Sequence, residues 1–225
     1  MNFTMEDIRR ALDTVSLANI AAGKISSGKL VGKAGEVDYA IYAGWDLLFA
    51  NLCDRSWGAF NVTLLRYIQS LEAQGVDVDP ILEVAQLEDY HWRWLDKSLH
   101  YKGNCYQWFF LLAEGYPQAA CLIYHPKASV VGAGDIFYIE YIAAAPWNRE
   151  NVFADRIFKG VGPKLLDCVV SYAQEDLQLQ PGFSLHSLPK AEQFYERIGM
   201  KAFQAYDKPG LKFFEWVAPE SMVKG

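Results

Sequence analysis

The chain has 225 residues, of which 52% are hydrophobic and 15% aromatic, and it carries a formal net charge of −6. This composition is sufficient to bury a sizeable core and excludes an intrinsically disordered chain. The negative charge argues against broad electrostatic binding to nucleic acid or to an anionic membrane. It still allows a small basic site for a phosphate-bearing molecule.

Targeting and redox signals are weak in this sequence. The start, MNFTMEDIRRALDTVSLANI, has acidic residues where a signal peptide has basic ones, and it lacks the long apolar stretch. No segment reaches the roughly 18 apolar residues that a membrane span needs. The cysteines are far apart and form no C-x-x-C pair, so neither a zinc site nor a disulfide framework is expected. We therefore expect a cytoplasmic protein with no bound metal.

The first 78 residues are predicted to form a mainly helical N-terminal extension. Apolar residues at helical spacing predict a helix over residues 4–22. The glycine- and lysine-rich stretch GKISSGKLVGKAGE (23–36) predicts a mobile loop. The run DYAIYAGWDLLFANLC fits a helix or a strand, and its length favours a helix. Residues 59–75 predict another helix, with Gly75 as its C-terminal stop.

Residues 79–225 are predicted to form one α/β domain, because short strands here alternate with helices. ILEVAQL (81–87) predicts a strand and EDYHWRWLDKSLHY a helix. The apolar runs YQWFFLLAEG and QAACLIYHP meet at EGYP and predict a hairpin. The remaining elements are predicted in this order: the strand DIFYIEYIAAAPWN, a helix over 163–175, the strand FSLHSL, the helix KAEQFYERIG, and the closing strands AFQAY and LKFFEWV.

A glycine turn precedes the helix of residues 163–175. Gly160 and Gly162 are separated by one valine and followed by Pro163, which is expected at the first helical position, where its missing N–H costs nothing. Such a turn lets backbone N–H groups approach an anion at the positive end of a helix. The sequence lacks a G-x-x-x-x-G-K-[ST] motif and a strand leading directly into G-x-G-x-x-G, so a P-loop or a dinucleotide fold is not expected. A purely structural turn remains the alternative.

The strand before this turn ends in small residues. Ala143, Ala144 and Ala145 are poor strand formers, and Pro146 lacks a donor for the sheet. A thin strand end leaves room for a narrow, amide-bearing chain to pair along the backbone. Pantetheine is such a chain, and it carries a pyrophosphate at its far end.

Taken together, YIEYIAAAPWN, KGVGPKLL and HSLPKAEQFYERIGM resemble the GNAT superfamily of acyl-CoA-dependent N-acetyltransferases, over roughly residues 80–218. The resemblance implies a mixed, mostly antiparallel central sheet flanked by helices, with acetyl-CoA as the acetyl donor. It implies that pantetheine binds the backbone of Ile142, Ala143 and Ala144. It also implies that the pyrophosphate binds the amides of Phe158, Lys159, Gly160, Val161 and Gly162. Tyr195 matches the tyrosine that often protonates the departing thiolate.

Three features of the sequence depart from the usual GNAT pattern, two of them single residues and one a spacing. Ile157 stands where the glycine turn usually opens with Gln or Arg, although Arg156 is adjacent. Leu188 stands where an asparagine is often found, and the link from Pro146 to Gly160 is longer than usual. These differences affect individual contacts rather than the expected fold.

Acetyl transfer to an amine needs a base for the amine and an acid for the thiolate. Glu140 is the candidate base, because apolar surroundings next to the proposed pantetheine would raise the pKa of its carboxyl group. His186 is the rival, since an imidazole already titrates near neutrality. The structural alternatives are an ion-paired edge carboxylate for Glu140, a hydrogen-bonded histidine for His186 and a packed aromatic ring for Tyr195.

The sequence says less about the amine that accepts the acetyl group. Trp92 and Trp94 are two residues apart and cannot share one face of a helix. Either one of them lines an acceptor pocket while the other packs in the core, or both lie in the core or at the seam with the N-terminal segment. The acidic composition favours a cationic acceptor. The sequence thus predicts an N-acetyltransferase acting on a primary amine. The alternative is a non-catalytic protein that uses the same scaffold to bind CoA or a partner.

Overall fold

The computed structural model of the protein describes residues 4–14, 20–33, 35–153 and 155–217. Among these residues, no helix has the length and apolar character needed to cross a bilayer. The N-terminal half contains α1 (Met5–Asp13), β1 (Gly23–Gly32), β2 (Gly35–Ala43), α2 (Leu47–Ala73), α3 (Asp79–Val84), α4 (Trp94–His100) and β3 (Tyr106–Ala113). The C-terminal half contains β4 (Tyr116–Ala128), β5 (Asp135–Ala144), α5 (Val161–Glu175), β6 (Gly182–Ser187), α6 (Glu192–Arg197), β7 (Lys201–Ala202) and β8 (Lys212–Val217).

The described strands form one sheet in the order β1-β2-β3-β4-β5-β6-β8-β7. Neighbouring strands are antiparallel except for β5 and β6, which are parallel. Helices cover both faces of this sheet, so the predicted fold class, a mixed and mostly antiparallel sheet flanked by helices, is confirmed. The hairpin predicted around EGYP is confirmed as β3 and β4.

Two hydrophobic cores lie on opposite faces of the sheet. On one face, Leu165 and Val169 of α5 pack with Phe109 and other strand residues. On the other face, helices α2 and α4 pack against Trp108 and Phe110. Successive residues of β3 belong to different cores, because neighbouring side chains of a strand point to opposite faces of the sheet. A strand covered on both sides therefore appears in the sequence as a continuous apolar run.

The N-terminal predictions are wrong for residues 23–43. These residues form the hairpin β1–β2 and not a mobile loop followed by a helix, and β2 pairs with β3 from Tyr39↔Ala113 to Ala43↔Phe109. The apolar run breaks at Gly44, which has a φ of 126°. Asp46 then caps α2 by accepting the N–H of Phe49 at 3.0 Å. The run is thus half strand and half helix.

The segment 81–87 also differs from the prediction, which was a strand. It contains the end of the short helix α3 and an extended turn, because Pro80 in the first turn favours helix initiation. The helix predicted from residue 88 begins later, at Trp94. The helix predicted over 59–75 is confirmed as part of α2. The helix predicted over 4–22 is confirmed for α1 and is wrong for residues 20–22, which are not helical, while residues 15–19 lie outside the described residues.

The division of the chain at residue 78 remains a prediction about domains. Strands from both sides of this position pair in the same sheet. In addition, Phe49 of α2 packs against Phe110 of β3, with ring centroids 5.4 Å apart. We therefore expect α2 to unfold together with the sheet.

Replacing Phe49 with alanine tests this coupling. Phe49 is 0% exposed, so Phe49→Ala should lower the free energy of unfolding by about 3–5 kcal/mol. Val62→Ala on the same helix, where the valine is 46% exposed, should change it by less than about 0.5 kcal/mol. Denaturation followed by circular dichroism and by tryptophan fluorescence should show one shifted transition. Two transitions, of which only one moves, would instead indicate a separate N-terminal domain.

Candidate active site

A cleft opens where β5 and β6 stop pairing. The two parallel strands pair at only three positions, Phe137↔Phe183, Tyr138↔Ser184 and Ile139↔Leu185. Strand β5 continues along β4 as far as Ala144, so the stretch 140–144 has no strand partner on its β6 side among the described residues. An unpaired strand edge can form backbone hydrogen bonds with an extended ligand.

A β-bulge at Glu140 accounts for this divergence. Leu122 pairs with Tyr141 and Ile123 pairs with Ile139, so Glu140 is an extra residue in β5. A bulge bends its strand and changes which face the following side chains occupy. Ile139 and Ile142 accordingly pack on the α5 face of the sheet, whereas Tyr141 packs on the α2 face. The side chain of Glu140 points away from that of Ile139 and therefore also lies on the α2 face.

The predicted glycine turn lies at the start of α5, and its backbone N–H groups are free to donate hydrogen bonds. Gly160 adopts a left-handed conformation (φ 72°) and precedes the helix, which has no side-chain cap. The N–H groups of Gly160, Val161 and Gly162 have no hydrogen-bond partner among the described residues. A Cβ atom added at Gly160 or Gly162 would meet nothing within 4 Å. This turn, residues 159–162, is therefore an open cradle of amides at the positive end of a helix.

Two details of the cradle differ from the prediction. Helix α5 begins at Val161, so Pro163 is its third residue; this position is also tolerated, since N–H groups in the first turn have no helical acceptor. The amide of Phe158 is not free, because it donates to Asn148 Oδ1 at 3.0 Å. Phe158 is 2% exposed and forms a backbone bridge with Gly32 of β1. The amide of Phe158 thus anchors the residue that precedes the cradle.

A buried polar network holds that anchor in place. Trp147 Nε1 and Asn148 Nδ2 both donate to Gln118 Oε1, at 2.8 and 2.9 Å. Gln118 and Asn148 are both buried. The network thus joins β4, the end of β5 and the start of the cradle through Asn148, which contacts all three.

The Glu140 carboxylate is half-buried, and it has no hydrogen bond or ion pair among the described residues. Burial raises the pKa of this carboxyl group, while the charges of Lys208 and Lys97 act in the opposite direction, and the net shift is upward. Glu140 therefore has the free lone pairs and the raised pKa that a general base needs.

His186 has both ring nitrogens in hydrogen bonds. Nε2 lies 2.8 Å from the carbonyl oxygen of Tyr206, which can only accept, so Nε2 donates. Nδ1, 2.6 Å from the hydroxyl group of Tyr138, then accepts from it. Burial lowers the pKa of His186, which keeps the ring neutral near pH 7. Its free lone pair is thus already occupied by Tyr138.

Tyr195 of α6 lies in the core beneath the cleft and is 7% exposed. Its ring packs near Phe214, with centroids 6.1 Å apart. Burial, with a smaller effect of Cys121, raises the pKa of the phenol. Cys121 in turn pairs with Ile142 across β4 and β5, and both Tyr195 and Ile142 belong to the core on the α5 face.

Comparison with known proteins supports the architecture. No protein-family model matches the chain, and no curated protein matches its sequence. The solved GNAT domain of S. lividans PAT superposes with a TM-score of 0.51 at 11% identity, covering 84% of this chain and 96% of that one. This chain has the GNAT acetyltransferase fold.

Two further solved structures match with lower TM-scores. PaiA N-acetyltransferase from Thermoplasma acidophilum, solved with coenzyme A, has a TM-score of 0.47 and 11% identity, covering 79% of this chain and 99% of that one. The N-acetyltransferase PseH from Campylobacter jejuni has a TM-score of 0.38 and 16% identity, covering 68% of this chain and 91% of that one.

Within this GNAT fold, residues 82–89 cross the open end of the cleft. On the β5 side, Arg149 forms a bidentate ion pair with Asp89, at 2.5 and 2.6 Å. Arg149 Nε also donates to the carbonyl of Ala144 at 2.8 Å. At the other end, Lys190 Nζ donates to the carbonyl oxygens of Leu82, Glu83 and Ala85 at 2.8–3.0 Å. The carbonyl of Ala144 thus accepts one hydrogen bond from Arg149 and keeps a second lone pair.

The two tryptophans occupy different environments. Trp94 is buried in the α2-face core, whereas Trp92 is half-buried and contacts Tyr141, the neighbour of Glu140, with centroids 4.9 Å apart. Both line a cavity of about 450 Å³ between α2 and residues 89–94. Both tryptophans thus pack at the seam with α2 of the N-terminal segment, which was one of the two interpretations of the sequence.

Several residues of the site were not found from the sequence, among them Lys97, Tyr138, Arg149 and Lys190. Their partners are distant in the chain, so no local pattern marks them. Asn148 belongs to the PWN stretch that follows β5, but a side-chain contact with Phe158 has no sequence signature. No group of residues suited to a metal ion occurs among the described residues.

Proposed function

We propose that this protein is an N-acetyltransferase that transfers the acetyl group of acetyl-CoA directly to a primary amine. The observation that carries the proposal is the unpaired edge of β5 next to the open amide cradle, within a GNAT fold. A strand edge and an anion-binding helix start are the two features that pantetheine and its pyrophosphate require.

In this proposal, pantetheine pairs with the backbone of Ile142 and Ala143, and the pyrophosphate binds the amides of Gly160, Val161 and Gly162. Ala144 contributes the backbone at the end of this edge. The exposed side chain of Lys159 adds positive charge beside the cradle. The separated free cysteines are consistent with a cytoplasmic enzyme.

The chemistry would use the groups on either side of the thioester. Glu140 takes a proton from the ammonium group of the acceptor, and the neutral nitrogen attacks the thioester carbonyl carbon. The C–N bond forms, the C–S bond breaks, and the thiolate takes a proton from the hydroxyl group of Tyr195. The positively charged nitrogen of the adduct loses its second proton to solvent, which also reprotonates Tyr195 and takes the proton from Glu140. Holding amine and thioester in line supplies a large part of the rate.

The base assignment is tested by Glu140→Gln, which keeps the shape and removes the proton acceptor. We expect kcat to fall by about 10²–10⁴ while acetyl-CoA still binds. In the unmodified protein, kcat/KM should fall as the pH drops through the raised pKa of Glu140, above the ordinary value of about 4.3. The residual activity of Glu140→Gln should lack this acidic limb.

Thiol release from acetyl-CoA across a panel of amines and a range of pH measures this effect. His186→Gln is the comparison, and it should keep the acidic limb. If His186→Gln loses the limb while Glu140→Gln retains it, the base is His186. Acetyl-CoA binding without thiol release for any amine would contradict the enzyme and favour the non-catalytic scaffold.

The acid assignment is tested by Tyr195→Phe, which removes only the hydroxyl group. Burial raises the pKa of the Tyr195 phenol above its ordinary value near 10, so it keeps its proton at pH 7 and can give it to a thiolate as the C–S bond breaks. We expect kcat to fall by about 10²–10⁴ with little change in Tm or acetyl-CoA affinity. Tyr116→Phe, on a residue 53% exposed, should leave all three quantities unchanged. Full activity of Tyr195→Phe would show that this ring serves packing alone.

A further inference from the structure

Two lysine side chains lie over the rings of tyrosines that neighbour Glu140 in β5, and neither ammonium group has a hydrogen-bond or ion-pair partner among the described residues. Lys97 of α4 lies with Nζ 3.5 Å from the ring centroid of Tyr141 and 5.5 Å from that of Trp92. Lys208, in the turn before β8, lies with Nζ 5.8 Å from the ring centroid of Tyr138. Both positive charges act on Glu140, since each lowers the pKa of its carboxyl group.

Lys97 is partly buried, and this burial lowers the pKa of its ammonium group. Aromatic faces attract a cation but cannot accept its N–H bonds in the way an oxygen does. The acidic residues around Lys97, apart from Glu140, have other partners. Asp54 accepts the N–H groups of Trp94 and Leu95 and lies 3.8 Å from Arg9, and Asp96 lies 3.7 Å from the same Arg9. An oxyanion brought by a ligand would supply the missing acceptor.

Tyrosine hydroxyl groups add further donors to this part of the α2 face. The hydroxyl groups of Tyr101 and Tyr141 are 3.5 Å apart, and Tyr106 packs against Tyr101 with ring centroids 5.2 Å apart. The surroundings of Glu140 therefore offer ammonium and phenol donors.

We propose that the acceptor is an amine that also carries an anionic group, either a carboxylate or a phosphate, and that Lys97 and Lys208 bind this group while the amine faces Glu140. The inference rests on the proposed function and narrows its substrate class. It replaces the expectation of a cationic acceptor, because a second ammonium group on the substrate would meet two like charges. Lys97 and Lys208 would thus be specificity-determining residues.

The test compares acceptors that differ only in the anion. Amino acids are paired with their amides, and O-phosphoethanolamine is paired with ethanolamine. We expect kcat/KM to be at least about tenfold higher for the anionic member of one pair or both, which corresponds to one charge-assisted hydrogen bond. The pair that shows the preference identifies the anion as carboxylate or phosphate.

The lysine assignment is tested in the same assay. Lys97→Met keeps an unbranched chain against the aromatic rings but removes the charge, so the preference should shrink to about threefold or less. Lys97→Arg should retain it, and Lys201→Met, on the short edge strand β7, should leave it unchanged. Combining Lys97→Met with Lys208→Met should abolish the preference.

The possible outcomes distinguish a failure of this inference from a failure of the proposed function on which it rests. Acetylation of amides or neutral amines as fast as of anionic amines would overturn the substrate class and leave the acetyltransferase intact. A preference that persists in the double variant would overturn the role of the lysines. No acetylation of any amine, with acetyl-CoA still bound, would contradict the enzyme and this inference together.

Discussion

The candidate site depends on one irregularity, the extra residue Glu140 in β5. Because this bulge bends β5, its pairing with β6 ends after Ile139, and the edge up to Ala144 is left without a strand partner. The same extra residue places Glu140 and Tyr141 on the α2 face, while Ile142 remains on the face that contains Tyr195. A single bulge thus produces the cleft and places the two proposed proton-transfer groups on opposite sides of it.

The cleft is held open by polar groups that already have partners. Asn148 connects Gln118 of β4 to the amide of Phe158, and Arg149 connects the end of β5 to Asp89. Buried polar groups that are all bonded resist rearrangement, because breaking one leaves an unsatisfied group. The amides of the cradle are left free next to this rigid frame, so a ligand would meet a preorganised site.

Local patterns in the sequence predicted the glycine turn, α5 and the hairpin β3–β4, because the residues that determine them are neighbours in the chain. The hairpin β1–β2 was missed because its stability comes from pairing with β3, far away in sequence, although Gly44 and Asp46 mark the boundary. The sequence could not show that Asn148 accepts the amide of Phe158 or that Arg149 donates to the carbonyl of Ala144, because no local pattern marks these contacts. The net charge of the chain could not indicate where individual lysines lie in the fold.

The central claim, that acetyl-CoA occupies the cleft and the cradle, is tested most directly by amide hydrogen exchange with and without saturating acetyl-CoA. The account predicts slower exchange in residues 140–144 and at Gly160–Gly162, and no change at Phe158, whose amide is already bonded. Gly162→Val, which adds a side chain where a Cβ meets nothing within 4 Å, should fold normally and lose this protection. Unchanged exchange in both segments, or equal protection in Gly162→Val, would contradict the account.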